Sequence, residues 1–254
     1  MKTLPIALVL LLAIACNKPS DQTGSSTDTT STASTPSIQD TTMNVVIWNE
    51  VGIRATPSDK GKYVTSIYLG ERFDLVGDTA SEVGDTKRIY FHKIQLSDGT
   101  TGWVRDEFVA LHVSPAAIMN NAVVCKRPDE ASVTDKTFST GDFVVVRKVN
   151  GRFLEVTGKL ENDTWYTTGY ISKEFVSYKP IEAEYAALSR RAYDKLTTQK
   201  VKDVLLARLQ DASVFGQSLL WDHDFNNVEE GDIDFDGEEE PEPVESDTTN
   251  TENN

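Results

Sequence analysis

The sequence predicts an all-β fold: two small β-barrels in tandem, followed by a short α-helical segment and a disordered acidic tail. Three observations predict it. One pattern of turn and core residues is written twice, about seventy residues apart. Around each copy, short β-rich runs are separated by turn signals at the spacing of a small barrel. After Pro180 the apolar period changes to that of a helix, and after Trp221 the composition turns acidic.

The repeat is the firmest of these. Its first copy runs Val51-Gly52-Ile53-Arg54-Ala55-Thr56-Pro57, then Gly70-Glu71, Gly102-Trp103-Val104 and Phe108-Val109. The second runs Val123-Val124-Cys125-Lys126-Arg127-Pro128, then Gly141-Asp142, Gly169-Tyr170-Ile171 and Phe175-Val176. Proline to glycine is thirteen residues in both, and the glycine before the aromatic lies six residues ahead of the closing Phe in both. Equal separations of turn and core residues mean two copies of one unit.

Taken in order, residues 1–15 read as a signal peptide. Met1-Lys2 is a minimal positive start, and Leu4 to Ala15 is an apolar run too short to span a bilayer. Small residues then precede Cys16, in Leu12-Ala13-Ile14-Ala15-Cys16. This stretch resembles the lipobox of bacterial lipoproteins, which implies cleavage before Cys16 and a lipid on its thiol. Residues 16–42 follow as a tether. Of the 26 residues from Asn17 to Thr42, fourteen are Ser or Thr. Such a stretch buries too little apolar surface to offset its ordering entropy. As a random coil it would reach roughly 25–30 Å. Three acyl chains, the usual end product in such lipoproteins, would anchor stably, since one is marginal and two suffice.

Residues 43–112 form the first module. Asn44 to Trp48 and Val51 to Arg54 are β-rich runs, and Thr56 to Gly61 is turn-rich. Tyr63 to Leu69 reads as a strand, Gly70-Glu71 as a turn and Arg72 to Gly77 as a strand. Asp78 to Lys87 reads as a polar excursion. Ile89 to Leu96 alternates as a half-buried strand, and Ser97 to Thr101 is a tight hairpin signal before Gly102. Residues 113–179 are the second, diverged module, with Phe153-Leu154-Glu155-Val156 at the corresponding strand position and a longer hairpin from Leu160 to Thr168.

The motifs Arg54-x-x-Pro57, Gly70-Glu71 and Lys93-Ile94-Gln95-Leu96-Ser97-Asp98-Gly99-Thr100-Thr101-Gly102-Trp103-Val104 resemble the bacterial SH3 domain, or SH3b. Phe91-His92 replaces the aromatic pair of that family with one aromatic and a histidine. The resemblance covers residues 43–178. It implies two SH3-like barrels and a binding module for cell-wall peptides or for proteins. On that reading Trp48, Tyr63, Tyr68, Tyr90 and Asp98 are the candidate ligand-binding residues. The marked glycines, prolines and aromatics of the repeat also have purely structural uses as turn and core residues.

Residues 180–221 read as helical. Ile181, Tyr185, Leu188, Ala192 and Leu196 recur at helical spacing, with Glu182 and Glu184 in the first turn. Thr198 is the N-cap candidate of a second stripe, Val201, Val204, Leu205 and Leu209. Packing within the chain is the expected use of both helices. From Asp222 to Asn254 there are fourteen acidic and no basic residues. Set apart from the total, they leave 26 acidic against 25 basic, so the net charge of −15 belongs to the tail. The rest is nearly neutral, which excludes a basic nucleic-acid surface. Asp232-x-Asp234-x-Asp236-Gly237 imitates a calcium loop, but Pro243 stands where the bidentate acid belongs, so no metal is expected.

Catalysis is not expected either. With Cys16 lipidated, Cys125 is the remaining thiol, and it lies in an apolar strand, which suits an inert buried thiol. His92, His112 and His223 fall one to a region, without the context of a cysteine peptidase, and no cofactor motif is present. The expectation is a non-catalytic, lipid-anchored protein of the bacterial cell envelope, at the outer membrane and facing the periplasm or the surface. Its partners would be the membrane, through the lipid, and peptidoglycan or an envelope protein. The alternatives are a structural spacer or surface adhesin, and an accessory subunit of a cell-wall hydrolase.

Overall fold

A computed structural model describes residues 42–84, 86–160 and 163–225, and the side chain of Phe225 is not among what it describes. The expected signal peptide, Cys16, the expected tether up to residue 41, the calcium-like motif and the acidic stretch from 226 lie outside the described residues. Among those described, thirteen strands and four short helices follow in order. The first repeat holds β1 (Met43–Val46), β2 (Glu50–Arg54), β3 (Tyr63–Tyr68), β4 (Arg72–Val83), β5 (Arg88–Gln95) and β6 (Thr101–Arg105). β7 (Val109–Ile118) runs on into the second, which holds β8 (Ala122–Cys125), β9 (Val133–Phe138), β10 (Phe143–Asn150), β11 (Phe153–Gly158), β12 (Thr167–Ser172) and β13 (Val176–Ser177). Helices α1 (Pro180–Ala192), α2 (Gln199–Leu209), α3 (Ala212–Phe215) and α4 (Leu219–Phe225) close the described chain. The strand order is β3-β2-β6-β5-β4-β1-β7-β10-β11-β12-β8-β9, with β13 also on β7, and every pairing is antiparallel. The core is all-β, as the strand spacing predicts.

The repeat in the sequence is a repeat of hydrogen bonds. The amide of Val46 donates to Glu71 O at 2.9 Å and that of Ile118 to Asp142 O at 3.0 Å. Gly70 N donates to Val46 O, and Gly141 N to Ile118 O. The carboxylates of Glu71 and Asp142 each accept the amide three residues earlier, from Tyr68 and Ser139, both at 2.8 Å. Arg54 pairs with Trp103 as Cys125 pairs with Tyr170. Both pairings require the preceding glycine. A Cβ on Gly102 would sit 2.3 Å from Ile53 Cγ2, and one on Gly169 would sit 2.4 Å from Val124 Cγ1. The strands cross too closely there for any side chain.

β7 joins the two repeats without a linker, and the junction expected after residue 112 falls inside it. Its first part pairs with β1 (Val46↔Val109, Met43↔Val113) and its second with β10 (Val146↔Ser114, Phe143↔Ala117). His112, with φ 53°, bulges at the change of partner. At that seam the strands are buried on both faces. Val144 and Val146 face the second repeat's core, while Phe143 and Val145 face a third core shared with Val45, Ile47, Leu69 and Val113. This is why β10 opens with the uninterrupted apolar run Phe143-Val144-Val145-Val146 rather than alternating.

Helix α1 fills this third core. Ala183, Ala186, Ala187 and Ala192 are buried there with Tyr185 and Leu188. Small residues allow the close approach: a Cβ on Gly70 would lie only 2.8 Å from Ala187 Cβ. Leu205, Leu209, Phe215 and Leu220 from the following helices complete the cluster. Glu182 is fully buried, and its carboxylate accepts from Ser218 Oγ (2.6 Å), Leu219 N (2.9 Å) and Leu220 N (3.3 Å). It satisfies the free amides at the start of α4 rather than those of its own helix.

Three local expectations change. The segment from Asp78 is not a polar excursion, because β4 continues to Val83, with Thr79 to Val83 paired against His92 to Arg88 beyond a register shift. Leu196 is 90 % exposed, in a turn after α1 has ended at Ala192. Thr198 precedes α2 at the N-cap without a side-chain capping bond, and Val201 and Val204 of the expected stripe are exposed.

Candidate functional site

β2 turns Val51 and Ile53 into the first core, so Glu50, Gly52 and Arg54 face outward. β6 does the same, burying Gly102 and Val104 and leaving Trp103 and Arg105 half-buried. With Trp48 and Phe108 closing one end, ring centroids 5.6 Å apart, these residues enclose a groove of about 220 Å³. Gly52 gives it an open floor.

The groove walls are aromatic and its edges are charged. Arg105 lies 5.2 Å over the Phe108 ring, its Nη1 is 3.3 Å from Asp59 Oδ2, and its Nη2 pairs with Glu107 Oε1. Its Nε is buried without a partner. Arg54 Nη1 donates to Gly61 O at 3.4 Å. Opposite in sign, Glu50 Oε1 accepts from Ser66 Oγ at 3.0 Å, and that hydroxyl lies 3.1 Å from the Tyr63 hydroxyl. Cation and anion on one aromatic trough suit a zwitterionic or peptide ligand.

Trp48 also joins the repeats. Its ring lies 5.1 Å from Trp165 and 5.2 Å from Tyr166, edge-on to the latter, and Lys159 Nζ sits 4.7 Å over its face. The Tyr166 hydroxyl is buried without a partner, and burial, then the Glu107 charge, push its pKa up. Trp165, 48 % exposed, and Arg147 line a second groove of about 440 Å³ beside this cluster.

The structure places the sequence candidates as follows. Trp48 lines the first groove. Tyr63, 54 % exposed, stands beside its floor, 3.8 Å from where a Gly52 Cβ would be. Tyr68 is covered by Arg191, whose guanidinium lies 4.1 Å over the ring. Tyr90 is exposed on β5, paired opposite Ser81 of the long hairpin. Asp98 closes the β5–β6 hairpin by accepting the Thr100 amide at 2.8 Å, a bond that lowers its pKa. Cys16 is outside the described residues. Trp103, Phe108, Arg105 and Trp165 were not among the candidates. Trp103 and Phe108 carry signal as repeat markers; Arg105 and Trp165 acquire their place only from long-range packing.

Cys125 is 4 % exposed, and burial first, then Asp129 and Glu130, push its thiol pKa up. His92 Nε2 lies 2.7 Å from Asp106 Oδ1 and His223 Nδ1 lies 3.2 Å from Asp224 Oδ1, so each is engaged by a carboxylate. Among the described residues no cluster of three His, Cys, Asp or Glu could hold a metal, and no helix is long and apolar enough to cross a membrane.

No protein-family profile matches this sequence, and no curated protein is similar to it. Solved structures similar to the chain include NlpC2 from Trichomonas vaginalis (18 % identity, TM-score 0.23) and NlpC1 from the same organism (15 %, TM-score 0.24). The matches cover 56 % and 57 % of this chain and span about half of theirs, 50 % and 48 %. At such scores the similarity carries nothing about activity.

Proposed function

We propose that the two repeats are tandem SH3-like barrels of a lipid-anchored bacterial envelope protein that binds, without catalysis, peptidoglycan peptides or an envelope protein. The groove of the first repeat carries this reading: four aromatic side chains, Trp48, Phe91, Trp103 and Phe108, line a trough with cation and anion on its edges. A stem peptide, with amines and carboxylates on a short chain, matches that chemistry. A small, largely preformed site of this kind binds by shape and a few polar contacts. The buried thiol with its raised pKa supports the absence of a cysteine nucleophile, since only a thiolate attacks.

Cosedimentation of the full chain with purified sacculi at moderate salt tests the ligand. The expected result is retention that Trp103→Ala weakens about tenfold. Failure of the chain to cosediment would sink the peptidoglycan reading and leave the protein partner. Palmitate labelling in cells, lost in Cys16→Ser, tests the anchor independently.

A further inference from the structure

A further cleft lies away from the first groove, where both repeats meet the helices. On the strand edge of β7, β1 reaches to Val113 and β13 starts at Ala117, and Pro115 lines a cleft between them. Pro115, lacking a backbone donor, tolerates the gap. The cleft there measures about 450 Å³, within the range of small-ligand sites. Its floor is apolar, from Leu69, Phe143, Ala187 and Leu188.

Three arginines and two glutamates stand around that floor. Arg208 Nη2 is paired with Glu184 Oε1 at 2.6 Å. Arg72 and Arg191 have no carboxylate at ion-pair distance and no hydrogen-bond acceptor among the described residues. Arg191 is the telling one. It stacks 4.1 Å over Tyr68, and desolvation, opposed by the more distant Glu71, lowers its pKa. Arg191 is half-buried and Arg72 exposed, and neither has a buried unpartnered nitrogen, so their donors face the open cleft where an anion can take them up.

We infer that this cleft binds the free C-terminal carboxylate of a short peptide with small aliphatic side chains. The carboxylate meets Arg191 and Arg72, whose fork geometry suits it. The aliphatic body lies on the floor, and Glu184 accepts from a peptide amide. One excess positive charge fits a monoanion. A phosphate dianion would bring its second charge against Glu71 and Glu184. The site uses residues of both repeats, α1 and α2, and shares none with the first groove, so the two stand or fall separately.

The test is calorimetric titration of the full chain with N-acetyl-Ala-Ala and with its C-terminal amide. The free acid should saturate below about 10 mM, and the amide should bind at least about tenfold more weakly. Arg72→Gln, at an exposed position, should weaken the acid about tenfold while the thermal unfolding midpoint stays within about 2 °C of the parent's. Equal binding of acid and amide, no saturation by the acid, or an Arg72→Gln chain that binds like the parent overturns the inference.

Discussion

Replacing Gly102 by Ala puts a methyl group where two strands cross. Its Cβ would stand 2.3 Å from Ile53 Cγ2 and 2.9 Å from Arg54 O. Aliphatic carbons rest about 3.5–4.0 Å apart, so the gap must open by more than about 1 Å. Ile53 is completely buried and cannot swing away, and the Arg54 carbonyl is fixed in the same strand. β2 and β6 therefore separate. Overpacking of this kind costs about 1–3 kcal/mol, and a broken ladder bond costs about 1 kcal/mol more. The expected loss is about 2–4 kcal/mol, a large share of the roughly 5–15 kcal/mol of a typical domain. In thermal unfolding followed by circular dichroism, this corresponds to a drop of about 10 °C. Gly52→Ala on the same strand meets nothing closer than 3.8 Å and should change stability by less than about 0.5 kcal/mol. Adding Ile53→Ala to Gly102→Ala removes the obstructing methyl, so the double variant should lose about 1–2 kcal/mol less than the sum of the singles. If Gly102→Ala costs under about 1 kcal/mol, or Gly52→Ala costs as much, close approach is not what selects glycine there.

Glu182→Gln keeps one acceptor oxygen but turns an amide group towards the donors of α4, and should cost about 2–3 kcal/mol with faster hydrogen exchange at Leu219 and Leu220. Unchanged protection at those amides would contradict the role given to this carboxylate. In Cys16→Ser protein, Cys125 should react with a disulfide reagent only as fast as the chain unfolds; rapid labelling of the native protein would count against its burial. Tyr166, Tyr178 and Tyr185 have hydroxyl pKa values raised chiefly by burial. The unfolded chain therefore loses these protons first, and stability falls as pH rises above about 10. Absorbance titration should show these phenolates appearing only with unfolding. All eight tyrosines ionising together below about pH 11, with the fold retained, would refute it.

The parts of the fold legible in the sequence are those set by local chemistry. Gly70 and Gly141, at φ 82° and 85°, and the crossings at Gly102 and Gly169 are written in the spacing because only glycine serves there. What the spacing could not show is partnership at long range. Glu182 reads as a helix-dipole residue, yet its bonds run to residues 36–38 positions away. The helical period of α1 was visible, but not that its alanines fit against both repeats. The polar composition of Thr79 to Glu82 hid a strand whose pairing comes from β5. Of the site, Trp48 was legible as a candidate at the end of the β-rich run from Asn44. Its neighbours Trp165 and Tyr166 lie more than a hundred residues on, and no local pattern marks them.

The strand common to both repeats also settles a question of valency. Two units on a flexible linker adjust to whatever spacing a ligand offers, and their effective concentration varies smoothly with linker length. Two units threaded on one unbroken strand, with a helix set between them, hold any pair of sites at a single separation and orientation. A partner that engages both must carry its epitopes at that spacing, and one that does not is bound through one unit alone. On the proposed reading, β7 would therefore make the protein respond to the distance between epitopes as well as to their chemistry.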